Sequence, residues 1–290
     1  MSKPPIRQPV VAGQFYPGSR ASCISMIEQC LPAEPSPVVP EKIIAGLVPH
    51  AGWAYSGAVA ARVFAAIHAQ SAPDTFVLIS AMHRWGASRP AIYARGSWST
   101  PLGEIEVDED LAEALLQAEN GSMADLPRAH AGEHSAEVQV PFIQYLFPEA
   151  KLLPILIPPD ASAAHTGEVI GQTVSAAQRA IAIVGTTDLT HYGAAYYGFA
   201  PAGTGEQALE WTRANDERVI NLVLDMRAEE IVVEAETHHN ACGGGAVAGT
   251  VAAARTLGAE KGYLLEYTNS YHVMPRGAAT DFVGYAAIVF

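Results

Sequence analysis

The sequence predicts an α/β fold: a mainly parallel sheet with helices on both faces, three layers in all, in one domain over residues 1–290. Two observations predict it. Apolar runs of strand length, IIAGLVP (43–49), TFVLISAM (75–82) and AIAIVGTTDL (180–189), alternate with segments of helical spacing. Unbroken apolar runs suit strands buried on both faces, and strand–helix alternation suits parallel crossovers. The second observation is bulk: 290 residues, 49% hydrophobic and 16% charged, suffice to bury a large core.

Each element follows in turn. Residues 1–18 are rich in Pro and Gly and read as an extended arm. ASCISMIEQCL (21–31) has helical spacing, with Ile24, Ile27 and Leu31 on one side. Four prolines make 32–41 a loop. After the strand at 43–49 comes AGWAYSG, where Gly52 and Gly57 allow a tight turn, then a helix over 58–69. The strand at 75–82 precedes an alternating stretch, 91–107, that predicts a hairpin or meander. Residues 108–118 form an amphipathic helix with acidic residues in its first turn, where the helix dipole favours them. Residues 135–147 read as a helix that Ser135 could cap and Pro141 starts or kinks. KLLPILIP (151–158) reads as a strand which Pro154 relegates to an edge or a bulge. A helix over 161–178, the strand at 180–189 and two helices within 204–235 follow. A small-residue helix, 246–259, stops at Gly258. The strands GYLLEYTNSY and FVGYAAIVF close the fold.

Composition excludes some functions. A net charge of −13 without a Lys/Arg cluster gives no footprint for nucleic acid or an anionic membrane. No apolar stretch reaches spanning length, and MSKPPIRQPVV lacks the apolar segment of a signal peptide. Three cysteines, Cys23, Cys30 and Cys242, do not make a disulfide framework, so a reducing, cytoplasmic setting is expected. Cys23 and Cys30 sit at helical spacing and read as core.

The chemistry-bearing residues gather at strand ends. His50 and His83 each terminate an apolar run, and His191 follows the third. Carboxyl ends of parallel strands form the rim where α/β proteins bind ligands. Taken singly, such a histidine could also cap a strand end or lie on the surface. In TTDLTHYG, Asp188 stands three residues before His191 and could orient it and raise its basicity, or could cap a helix. His191 is the candidate general acid or base. AHAGEHSAEVQVPF holds His130, Glu133, His134 and Glu137; it is not HExxH, but His134 and Glu137 could support a site from behind. Cys242 precedes three glycines and a helix, and is a candidate thiolate ligand or nucleophile. Two imidazoles with one anionic ligand suit Fe(II) with open positions; a thiolate in the set also admits copper or zinc. The Gly243–Gly245 run is no nucleotide fingerprint.

At these residues the chain resembles the Memo family, known in prokaryotes as AmmeMemoRadiSam system protein B. The resemblance is carried in order by AGQFYP (12–17), PHAGWAYSG (49–57), HRWG (83–86), EHSAEVQVPF (133–142), LLPILIP (152–158), TTDLTHYG (186–193) and HHNACGGGA (238–246). It implies the fold of the class III extradiol (LigB-like) dioxygenases, which hold Fe(II) with two His and a Glu and open catechol-type rings with O2. It implies that His50 and His83 match the metal histidines, Cys242 the third ligand, and Asp188 and His191 further pocket residues, His191 the acid–base histidine. The chain departs from the dioxygenases in carrying cysteine where they carry glutamate. The family name implies AMMECR1-type and radical-SAM partners.

Three functions are therefore expected in turn. The first is a redox enzyme with Fe(II), or copper or zinc, at His50, His83 and Cys242. The second is a non-catalytic module holding a peptide or small ligand, with aromatic contacts from Tyr16, Trp53 and Tyr55. The third is a Cys–His hydrolase pairing Cys242 with His191.

Overall fold

The computed structural model describes residues 5–290 except 35, 37–38, 84–86, 119–120 and 197. Arg84–Gly86 of HRWG and part of the proline-rich loop thus lie outside the described residues. In chain order the elements are β1 (Ile6–Arg7), α1 (Arg20–Cys30), β2 (Ala45–Val48), α2 (Trp53–Gln70), β3 (Thr75–Ser80), β4 (Ala91–Ile92), β5 (Ser97–Thr100), β6 (Gly103–Glu106), α3 (Glu109–Gln117), β7 (Ala124–Asp125) and α4 (Pro127–His130). A 3-10 turn (Glu137–Gln139) leads into α5 (Val140–Leu146). Then come β8 (Lys151–Leu156), α6 (Ala163–Ala176), β9 (Ile181–Thr186), β10 (His191–Tyr192), α7 (Glu206–Leu224), α8 (Ala228–His238), α9 (Gly244–Thr256), β11 (Tyr263–Asn269), α10 (Ser270–Val273) and β12 (Phe282–Val289).

Among the described residues one sheet has nine strands in the order β10-β12-β2-β9-β3-β8-β4-β7, with β11 also paired to β12. The central four, β2-β9-β3-β8, run parallel, which is the predicted arrangement. The flanks turn antiparallel, at β12 against β2 and at β4 against β8. A separate three-stranded sheet joins β1, β5 and β6, the last two being the predicted hairpin.

Two glycines show how the layers close. Gly46 pairs with Val184, so Gly46 and Gly185 face opposite sides of the sheet. A Cβ on Gly46 would lie 2.3 Å from Val63 of α2, and one on Gly185 would lie 2.1 Å from the Thr250 hydroxyl of α9. Helices α2 and α9 therefore seal opposite faces at van der Waals range, where only glycine leaves room. Helix α6 packs along α9, and α1 along α2.

Four local expectations change. Helix α1 buries Cys23, Ile27 and Cys30, while Ile24 is only half-buried, so the inward face is rotated toward the cysteines. The predicted turn at Gly52–Gly57 is instead the first turn of α2, and Gly57 packs against Cys30 Sγ. Ser135 caps no helix; its hydroxyl donates to the Ala81 carbonyl. Pro154 sits inside the sheet, between β3 and β4. Its carbonyl accepts from Tyr93 N at 3.1 Å, so its missing N–H faces the β4 side. There β4 pairs only with Ile155 and Leu156, and no ladder bond is lost. No helix among the described residues is long and apolar enough to cross a membrane.

Candidate metal centre

The parallel centre of the sheet brings its carboxyl ends to one rim. His50 lies two residues beyond β2, His83 three beyond β3, and Asp188 two beyond β9. Cys242 reaches the same rim from the other direction, two residues before α9. Its amide donates to the Asp188 carbonyl at 3.1 Å, and the next amide, of Gly243, donates to Thr187 Oγ1 at 3.0 Å. The end of β9 thus fixes the cysteine.

His50 is buried, at 1% exposure. Its Nδ1 lies 3.0 Å from Thr186 Oγ1 and its Nε2 3.1 Å from Cys242 Sγ. The loop carrying it is held by Asp188, whose Oδ1 accepts from His50 N at 2.7 Å and Ala51 N at 3.2 Å. The His83 ring meets His50 edge-on with centroids 5.0 Å apart. Its Nδ1 is 3.0 Å from Glu133 Oε1, and its amide donates to Glu133 Oε2. With Nδ1 of both rings occupied, Nε2 is the nitrogen each has left for a cation.

A third imidazole, from His134, joins them. It stacks on His83 at 5.0 Å and meets His50 at 5.5 Å, and one nitrogen from each ring lies within 4.8 Å of the others. The sequence reading places His134 behind the site rather than in it. Its approach depends on the turn at Glu133, whose Oε1 accepts from the amides of His134 and Ser135. That turn has no periodic signature; the spacing of His134 one residue after Glu133 was the only hint.

Environment divides the charges. Burial, reinforced by His83 and His134, pushes the His50 ring well below its ordinary value, so it is neutral at pH 7. Burial would do the same to His83, but hydrogen bonds to the Cys242 sulfur and to Glu133 outweigh it and push His83 up to about 10. Burial would raise Glu133, yet the His83 ring and the Ser135 and His83 amides hold its carboxyl far below the usual range. Burial raises Asp188, opposed by the charge of His191 and the amides of His50 and Ala51.

His191 opens β10, and its Nδ1 is 3.0 Å from the Leu189 carbonyl. A carbonyl only accepts, so Nδ1 carries the hydrogen and the neutral ring has its lone pair on Nε2. The Leu189 carbonyl holds this ring through Nδ1, and Asp188 acts on it through charge while its Oδ1 also serves the His50 loop. His191 and Tyr196 border two cavities. One, of about 630 Å³, also touches His83, Cys242 and Phe199. The other, of about 520 Å³, touches His134, Asp188, Tyr55 and Arg276.

The remaining expectations divide. Tyr55 is 38% exposed and lines the second cavity. Tyr16 and Trp53 are buried and offer no ligand contact: Tyr16 donates to Glu137, and Trp53 donates to the Val138 carbonyl between Tyr16 and Phe142. The imidazoles against Cys242 are those of His50 and His83, not His191, so the Cys242–His191 pair of a hydrolase is not formed. Three clustered imidazoles beside a cysteine sulfur are a donor set that could hold a transition-metal ion.

A family model described as Memo-like protein matches residues 7–289. A MEMO1 family protein of Thermococcus onnurineus is 39% identical over 299 residues, covering 98% of this chain and 99% of that protein. One from Pyrococcus abyssi is 36% identical over 295 residues, with 98% and 99% covered, and one from Methanosarcina barkeri is 35% identical over 290 residues, with the same coverage.

Proposed function

The chain belongs to the Memo-like protein family, and from that premise we propose that its rim pocket is a mononuclear metal centre for redox chemistry on a small molecule. The observation that carries the proposal is the convergence of His50 Nε2 and Cys242 Sγ at 3.1 Å beside the His83 ring. His50, His83 and Cys242 would hold the ion, with His134 as an adjoining donor. Fe(II) is the first choice, with copper or zinc as alternatives on the same donors. A bound iron or copper ion would supply Lewis-acid and electron-transfer chemistry.

The other residues have separable tasks. Glu133 fixes the His83 ring through Nδ1, a carboxylate–imidazole pairing that would leave Nε2 to hold the ion. Asp188 holds the backbone of the His50 loop. His191, with its lone pair on Nε2, takes a proton from a ligand in the adjoining cavity and returns it. Phe199 and Tyr196 give that cavity an apolar side.

Metal analysis of tag-free, anaerobically purified protein tests this. About one iron or copper ion per chain is expected, lost in His83→Ala and in Cys242→Ser. Full metal content in both variants would refute the assignment. The 520 Å³ cavity lined by Tyr55, Tyr196, Tyr271 and Tyr285 favours a second reading, a ligand-binding module. In that case ligand binding survives His83→Ala and is lost in Tyr55→Ala.

A further inference from the structure

We infer that the N-terminal arm is a positioning device for this centre, acting through Arg7 and Glu133. The inference rests on the metal-centre reading. Arg7 is 6% exposed, and its guanidinium is divided among three anchors. Nε donates to the His130 carbonyl at 2.9 Å, Nη2 to the Glu133 carbonyl at 2.6 Å and Nη1 to Glu137 Oε2 at 2.7 Å. The Trp98 ring covers it at 4.1 Å. One side chain thereby grips both ends of the 130–137 segment and its middle.

Glu137 returns the grip. Its Oε1 accepts from Val10 N and Val11 N at 2.9 Å each and from Tyr16 OH at 3.0 Å. The arm is therefore sewn along residues 7–16 to the turn whose central side chain, Glu133, orients His83 and His134. A second contact is direct. The Phe15 ring meets His134 edge-on at 5.0 Å, and the Phe15 carbonyl accepts from Trp53 N, the first residue of α2. Two of the three imidazoles thus take their placement partly from the arm.

A buried ion pair is a poor way merely to fasten a segment, since two apolar side chains of like volume would do it without desolvating charges. What an arginine adds is a planar fork aimed at fixed points. Here those points are the backbone of the turn that carries Glu133. Lysine keeps the charge and loses the fork.

Cobalt(II) titration tests the inference, because the ligand-field and sulfur-to-cobalt absorption bands report ligand geometry without any turnover. Arg7→Lys should remain folded by circular dichroism, weaken Co(II) binding about 10- to 100-fold, as loss of a ligand's supporting partner does, and shift the bands. Val169→Ala, a buried change in α6 remote from the arm, controls for stability and should leave binding and spectrum unchanged. Wild-type affinity and spectrum in Arg7→Lys, or equal weakening in Val169→Ala, would overturn the inference while leaving the metal centre standing. If Arg7→Lys does not fold, Tyr16→Phe removes one bond to Glu137 and should weaken Co(II) several-fold; no change would overturn the inference equally. If the wild-type chain binds neither Co(II), Fe(II) nor Cu(I), the metal-centre reading itself falls and this inference with it.

Discussion

At Glu133 a single buried carboxylate governs two imidazoles. Glu133→Gln removes the charge that balances His83, so the His83 pKa should fall from about 10 toward ordinary values. Above about pH 10, where His83 holds no competing proton, metal affinity should drop about 10- to 100-fold. Proton NMR of the ring and metal titration check the two halves. The same pairing fixes how binding depends on pH. His83 keeps a proton until about pH 10, and an ion entering through its Nε2 must displace that proton. Binding should release at least one proton per ion, and affinity should fall about tenfold for each unit the pH is lowered across the neutral range. Calorimetry in buffers of different ionisation enthalpy measures the release. Zero net release would contradict the assigned proton. At this scale the sequence is legible where a residue ends or precedes an element: His50, His83 and Cys242 each adjoin a strand or helix terminus, so topology alone brings them near. His134 is not, because its position depends on how one short turn folds back over the rim. Tyr16 and Trp53 misled for the opposite reason: aromatic type gives no sign of whether a ring lines a cavity or fills the core.

The elements divide by length. The parallel strands β2, β3 and β9 are readable because both faces are buried and their sequences are almost wholly apolar. The two-residue strands β1, β4, β7 and β10 fall below any periodic signal. Pro154 predicts an edge or a bulge by a sound rule, and the structure satisfies that rule differently, by pairing the proline side of β8 with a neighbour too short to miss the N–H. The close seating of α9 on β9 makes a measurable demand. In Gly185→Ala the added methyl meets the Thr250 hydroxyl, which is itself bonded to Ala246 O in the helix. Overpacking of this kind costs about 1–3 kcal/mol. The variant should melt several degrees lower by calorimetry, and an unchanged midpoint would mean that helix and strand separate freely there.

Across the whole molecule, the residues of the proposed centre come from positions 50, 83, 134 and 242, so a bound ion would join segments from most of the chain length. Binding to the folded form alone should stabilise it by about 2.7 kcal/mol at a free metal concentration one hundred times Kd. The melting midpoint should therefore rise with added metal and fall with chelator, and should not respond in His83→Ala. The strand order carries a different consequence, one for biosynthesis. Strand β12 is the last of the described elements to be made, yet it lies inside the finished sheet, paired to β2, β10 and β11. Every proposed ligand leaves the ribosome before it does. A nascent chain can thus gather its histidines and cysteine while β2 still shows an unpaired edge to other chains. Between the emergence of residue 242 and that of residue 289, this β2 edge is open to mispairing with neighbouring chains on the polysome.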